Sequence, residues 1–137
     1  MKYNQFTPGG SYQITSRQIS VTINAECQRR DGSWQQSAPL HYTADEALKF
    51  PDISNDNGNL VPFVVQPPGP IESKYGIAVP AGSYQVTSRN IVVTLEAECQ
   101  KRDGSWQQSK PLTYGTDESL KYPEGVVNNN GQLSFTM

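Results

Sequence analysis

Ile19-Ser20-Val21-Thr22-Ile23-Asn24-Ala25-Glu26-Cys27-Gln28, followed by Asp31-Gly32-Ser33-Trp34-Gln35-Gln36-Ser37, puts apolar residues on every second position and then a turn. A period of two is that of a strand with one buried face. The β-branched content agrees, and Asp-Gly leads into a second strand opened by tryptophan. The stretch therefore predicts a β-hairpin with an apolar inner face and a polar outer edge. It returns as Ile91-Val92-Val93-Thr94-Leu95-Glu96-Ala97-Glu98-Cys99-Gln100 with Asp103-Gly104-Ser105-Trp106-Gln107-Gln108-Ser109.

Cys99 lies 72 positions beyond Cys27, and that offset holds from Pro8/Pro80 to Pro51/Pro123. Identity over this span is roughly 70 %, the mark of a tandem duplication. One extra residue follows Pro123, after which Asn55-Asp56-Asn57-Gly58-Asn59-Leu60 matches Asn128-Asn129-Asn130-Gly131-Gln132-Leu133. The chain divides into an arm (1–7), repeat 1 (8–61), a proline-rich connector (62–79) and repeat 2 (80–137). Two copies are too few for an open solenoid, so they are expected to close on each other with pseudo-twofold symmetry.

Within each repeat, Tyr12 to Arg17 is expected to be extended. Asp45-Glu46-Ala47-Leu48 and Asp117-Glu118-Ser119-Leu120 suggest a helical or 3₁₀ turn. Asn-Gly at 57–58 and 130–131 marks a second hairpin, because both central residues of a type I′ turn take positive φ. The fold class that follows is all-β.

The 137 residues suffice for one domain or two small ones sharing a core. Mean hydropathy is −0.61 with only 18 % charged residues, so amides and hydroxyls supply the polarity. A net charge of −2 gives no field for nucleic acid or an anionic membrane. No apolar run approaches the ~20 residues of a membrane span. Met1 to Pro8 lacks the apolar segment of a signal peptide, and two cysteines make no disulfide framework. Both points favour a cytoplasmic location.

His41, the lone histidine, has Thr113 as its counterpart, so no histidine-based catalytic apparatus could occupy both repeats. Asp45-Glu46 and Asp117-Glu118 are sequence neighbours that diverge, and they read as charge at the start of a helical turn. The Asn-rich turns fail as calcium loops. With Gly58 at the glycine position, the first and last ligands would be Ile53 and Val64, and the second turn fails likewise at Val126. No metal, cofactor or enzymatic activity is expected. Cys27 and Cys99 share the apolar phase and read as buried thiols. Trp34 and Trp106 fit sugar platforms and core fillers equally well. There remains a duplicated polar set: Thr15, Gln28, Arg30, Asp31, Asn55 and Asn57, with Thr87, Gln100, Arg102, Asp103, Asn128 and Asn130. Such groups exchange hydrogen bonds with sugar hydroxyls without needing a charged ligand.

The order Gly-Ser-Tyr-Gln-x-Thr-Ser-Arg, Ala-Glu-Cys-Gln-x-Arg-Asp-Gly-Ser-Trp, then Asn-x-Asn-Gly-x-Leu resembles the repeat of the cyanovirin-N homologues over nearly all of both copies. The resemblance implies a mannose-binding lectin built as a pseudo-twofold pair of small antiparallel sheets with exchanged β-hairpins. It implies one pocket from Ser11, Thr15, the strand end Gln28 to Asp31 with Arg30, and the turn Asn128, Asn129 and Asn130. The other would unite Ser83, Thr87, Gln100, Arg102 and Asp103 with Asn55, Asp56 and Asn57. The partners implied are mannose-containing oligosaccharides or glycoproteins, bound by a monomer or a domain-swapped dimer. The alternative is a protein-interaction or structural module on the same fold.

Two departures from the family pattern stand out. Cysteines that would pair with Cys27 and Cys99 from just upstream are Ser16 and Ser88 here, removing bridges that each contribute about 2–4 kcal/mol. Acidic pocket positions are Gln28, Asn57 and Asn130, whose amides lack the charge-assisted strength of a carboxylate. Retained but weaker mannose binding is expected in consequence.

Overall fold

The computed structural model describes residues 6–49, 52–63, 78–122 and 125–135. Its framework is antiparallel strand with short helical turns. A 3₁₀ turn, Ser11–Ile14, precedes β1 (Ser16–Gln28), β2 (Trp34–Gln36), β3 (Leu40–Thr43), α1 (Ala44–Ala47) and the hairpin of β4 (Asp52–Asp56) and β5 (Asn59–Phe63). A second 3₁₀ turn, Ser83–Val86, precedes β6 (Ser88–Gln100), β7 (Trp106–Gln108), β8 (Leu112–Gly115), α2 (Thr116–Ser119) and the hairpin of β9 (Val126–Asn129) and β10 (Gln132–Phe135).

The long strands β1 and β6 pair antiparallel with each other, while β2 and β3 flank β1 and β7 and β8 flank β6. Thus one six-stranded sheet spans both repeats, where two small sheets were expected. The cause is strand length. Each 13-residue strand runs unbroken through its repeat and on past the start of the other. Ser16 faces Cys99 and Cys27 faces Ser88.

The upstream position and the cysteine of one repeat are therefore at opposite ends of a single strand, roughly 36 Å apart at 3.3 Å per residue. Ser16 Oγ instead donates to Cys99 Sγ at 3.3 Å, and Ser88 Oγ donates to Cys27 Sγ at 3.3 Å. Both thiols are free and buried, and burial pushes both thiol pKa values up.

Pairing of β1 with β6 holds its register through two bulges. Arg17 faces Glu98 and Ser20 faces Glu96, so β1 carries one extra residue; between Asn24/Val92 and Glu26/Arg89 the extra residue is on β6. Gln18 (φ 52°) and Asn90 (φ 52°) take up the slack. A left-handed residue is how a strand absorbs one residue without losing its partner.

Ile19, Val21, Ile23, Ala25 and Cys27 from β1, with Ile91, Val93, Leu95, Ala97 and Cys99 from β6, form the buried face. Each large aliphatic contributes about 1.5–3 kcal/mol on burial. Four buried tyrosines complete the core, and each hydroxyl donates to a backbone carbonyl ahead of a 3₁₀ turn. Tyr12 reaches Pro8, Tyr84 reaches Pro80, Tyr42 reaches Phe6 (2.6 Å) and Tyr114 reaches Ala78. Burial holds the hydroxyls of Tyr42 and Tyr114 well above the ordinary tyrosine range.

These contacts revise several boundaries. Phe6 and Thr7 belong to the core, as do Ala78 and Val79, and β5 runs on to Phe63. The rest of the arm and most of the connector, Val64 and Val65 included, lie outside the described residues. The first segment of each repeat is a 3₁₀ turn because Gln13 Nε2 and Tyr12 Oη both bond Pro8 O, which curls the chain back on itself.

The hairpins pack across the repeats, β9 on the first 3₁₀ turn and β4 on the second. At Gly10 (φ 141°) an added Cβ would sit 2.0 Å from Val126 O; at Gly82 it would sit 2.6 Å from Ile53 O. Val126 N–H donates to Gly9 O at 3.0 Å. Glycine is required where β9 and β4 press this closely.

Two measurements check this architecture. Oxidised Ser16→Cys protein is expected to carry a disulfide from position 16 to Cys99, seen by non-reducing peptide mapping; a bridge to Cys27 would refute the pairing of β1 with β6. Gly10→Ala is expected to cost about 1–3 kcal/mol or more in chemical unfolding, since neither φ nor Val126 can yield.

Candidate functional site

Each hairpin turn closes a shallow cradle. In the first, Asn57 (φ 50°) and Gly58 (φ 101°) form the tight turn predicted from Asn-Gly. Asn55 Nδ2 donates to Thr87 Oγ1 (2.9 Å) and Gln28 O (2.8 Å), while its Oδ1 accepts from Gly58 N–H (2.8 Å). Gln28 N–H donates to Thr87 O at 2.9 Å. Arg30 N–H donates to Asn57 Oδ1 at 3.0 Å, and Arg30 Nη2 lies 3.3 Å from Asp56 Oδ1.

In the second cradle, Asn128 Nδ2 donates to Thr15 Oγ1 (3.0 Å) and Gln100 O (2.8 Å), and its Oδ1 accepts from Gly131 N–H (2.8 Å). Gln100 N–H donates to Thr15 O at 2.9 Å, and Arg102 N–H donates to Asn130 Oδ1 at 3.0 Å.

Thr15 thus meets the Asn128–Asn130 turn and Thr87 meets the Asn55–Asn57 turn. The strand ends are exchanged relative to expectation. Gln100, Arg102 and Asp103 join Thr15, and Gln28, Arg30 and Asp31 join Thr87. The reason is the pairing of β1 with β6, which brings the start of each long strand beside the end of the other.

Many of the expected contact groups are already engaged. Asn55 and Asn128 use both ends of their amides inside the protein, so they fasten the hairpins. Gln28 and Gln100 donate to Gly32 O and Gly104 O, each at 3.2 Å. Asp31 and Asp103 accept from the hydroxyl (2.6 Å) and N–H (2.9 Å) of Ser33 and Ser105. Those bonds, the hydroxyl's above all, hold both carboxyls below the ordinary aspartate range. Ser11 is exposed and Ser83 half-buried, each opening a 3₁₀ turn. The outward-facing groups are the arginine side chains, Asp56, Asn129 and the tips of Asn57 and Asn130.

Ile14 and Val86 were missed from sequence. They end the 3₁₀ turns and stand 86 % and 80 % exposed immediately before Thr15 and Thr87. The only available signal was an apolar residue breaking a polar run, Tyr-Gln-Ile-Thr-Ser and Tyr-Gln-Val-Thr-Ser.

Trp34 and Trp106, at 38 % exposure, are not core fillers. The Arg89 guanidinium carbon lies 4.1 Å over the Trp34 ring and that of Arg17 lies 4.1 Å over Trp106. Each arginine also pairs with a glutamate, Arg17 with Glu98 at 3.1 Å and Arg89 with Glu26 at 3.4 Å. One face of each indole is therefore covered.

Glu46 closes a capping box with Thr43, which lowers its carboxyl pKa. His41 Nδ1 lies 2.7 Å from Thr22 Oγ1 on the open face of the sheet. Two open clefts, of about 440 Å³ around Gln18, Thr43 and Asp45 and 410 Å³ around Asn90, Gly115 and Asp117, hold none of the expected site residues.

No protein-family model, curated protein or solved structure matches this chain.

Asn128→Ala is expected to cost about 1–3 kcal/mol in chemical unfolding, because it strands the Gly131 N–H and the Gln100 carbonyl. Asn129→Ala, at an exposed neighbour, should stay within about 0.5 kcal/mol. In an acid titration, the Ser33 and Ser105 amide shifts should follow Asp31 and Asp103. A depressed carboxyl keeps its bonds above its unfolded pKa and loses them as pH falls through the folded value, so both midpoints should fall below the ordinary aspartate value of 3.8.

Proposed function

We propose that this chain is a non-catalytic lectin with two carbohydrate cradles, built from two repeats in pseudo-twofold relation whose hairpins are exchanged. The ligand class is terminal α-mannose of high-mannose glycans, as implied by the resemblance to cyanovirin-N homologues. The observation carrying this is that each Asn-x-Asn-Gly turn docks on the threonine of the opposite repeat. The repeat motifs that suggest the family thereby converge on two surfaces lined by hydroxyls, amides, backbone and an arginine. The exposed Ile14 and Val86 supply the apolar contact that such a polar rim otherwise lacks.

Because the asparagines at 55 and 128 are spent on the scaffold, affinity at one cradle rests on few groups. Branched glycans reaching both cradles would gain from avidity. A protein-interaction role is the second reading, favoured by that same internal use of the amides. Titration with an α-linked mannobiose is expected to shift the amides of residues 14–15, 100–103 and 128–131, and of 28–31, 55–58 and 86–87. No response at millimolar sugar, together with capture of a defined protein partner, would replace the lectin by the interaction module. Turnover of a chromogenic mannoside would overturn the non-catalytic reading. Light scattering separates the monomer from a swapped dimer.

A further inference from the structure

The duplication builds two nearly identical cradles at opposite ends of the β1–β6 pair, so any difference between them stands out against a built-in control. At the backbone the two arginines are held alike, Arg30 N–H on Asn57 and Arg102 N–H on Asn130, each at 3.0 Å. Their guanidinium groups face different neighbours. Arg30 Nη2 is 3.3 Å from the Asp56 carboxylate, whereas the residue equivalent to Asp56 is the neutral Asn129. Among the described residues Arg102 makes no ion pair.

A second difference has the same sign. Ala38 of repeat 1 becomes Lys110 in repeat 2, and Lys110 N–H donates to Gln132 Oε1 at 3.1 Å, which fixes that backbone beside β10. The other local charges match: Arg29 with Lys101, and Asp31 with Asp103. Moving from the first cradle to the second therefore removes one negative charge at the turn, and Lys110 adds a positive one to the chain beside β10.

We propose that the cradle closed by Asn128–Asn130 takes an acidic sugar, one carrying a phosphate monoester, sulfate or carboxylate, while Asp56 restricts the other to neutral sugars. This rests on the sugar-binding reading of the cradles. A free guanidinium offers a planar fork of donors matched to two anionic oxygens. At the first cradle the same fork is shared with Asp56, whose carboxylate also repels an incoming anion. With 79 % and 64 % of the two side chains exposed, the Arg30–Asp56 pair is weak in itself, so repulsion rather than sequestration does most of the discrimination.

The test is a site-resolved amide-shift titration of the whole chain with methyl α-mannoside, mannose 6-phosphate, mannose 6-sulfate and inorganic phosphate. The expected result is that neutral mannoside occupies both cradles, while mannose 6-phosphate or 6-sulfate favours residues 100–103 and 128–131 by about three- to tenfold, a preference that shrinks in high salt. Asn129→Asp should abolish the preference for acidic over neutral sugar at the second cradle, and Asp56→Asn should confer it on the first. Whichever anionic sugar binds tighter identifies the substituent. Equal binding of acidic sugars at both cradles, or inorganic phosphate matching mannose 6-phosphate, would overturn this inference alone. If neither neutral nor acidic sugar moves any amide, the lectin reading falls and this inference with it.

Discussion

The antiparallel pairing of β1 with β6 is the constraint on which the rest of the molecule depends. It merges the apolar faces of the two repeats into one continuous sheet. It also decides which chain ends meet. Because the strands run opposite ways, Thr15 arrives at Gln100 and Thr87 at Gln28, and both cradles follow from that arrangement. The bulges at Gln18 and Asn90 shift each strand's alternation by one ahead of its apolar run, so that Ser16 and Ser88, not Arg17 and Arg89, lie inward opposite Cys99 and Cys27.

On this frame the two asparagines act as bolts. A primary amide presents two donors and an acceptor in one plane, and Asn128 uses them to join three segments: its own turn, the end of β6, and the first residue after the opposite 3₁₀ turn. Hairpin and framework are therefore coupled, with Ser109 Oγ accepting from Leu133 N–H at 2.9 Å as a second fastening. Ser37 does the same for Leu60. The polar set of each repeat accordingly divides by burial. Half-buried Thr15, Thr87, Asn55 and Asn128 hold the cradle together, while the side chains of Arg30, Arg102, Asp56 and Asn129 are exposed.

Much of this was legible from the chain. Period-two alternation located β1 and β6 and their buried faces, Asn-Gly located the hairpin turns, and Asp-Glu after Thr43 located α1. What escaped was what local pattern does not encode. Alternation tells a strand which face to bury but not which partner to take, so the merging of the repeats into one sheet was not foreseen, nor was the exchange of Gln28 for Gln100 beside Thr15. The segment Tyr12 to Arg17 read as extended because its aromatic and β-branched residues suit a strand. Its curl comes from two side chains bonding Pro8 O, a contact invisible to propensity. Trp34 and Trp106 stood undecided because stacking on Arg89 and Arg17 joins residues of opposite repeats.

Duplication also explains why the two cradles can differ in charge at no cost to the fold. Positions that clasp the repeats together must satisfy partners on both sides, and they are identical in the two copies: Thr15 and Thr87, Gln28 and Gln100, Asn55 and Asn128, Gly10 and Gly82. Positions that face only solvent carry no such condition. Asp56 against Asn129, Ala38 against Lys110 and Ile14 against Val86 are exposed positions free of that condition, and each changes while leaving the clasp intact. The copies also differ away from the cradles, at Ile23 against Leu95 in the core, Asn24 against Glu96 on the long strands and His41 against Thr113, so it is the clasp positions that are held alike. The clasp stays common to both cradles, and their surfaces differ one exposed side chain at a time.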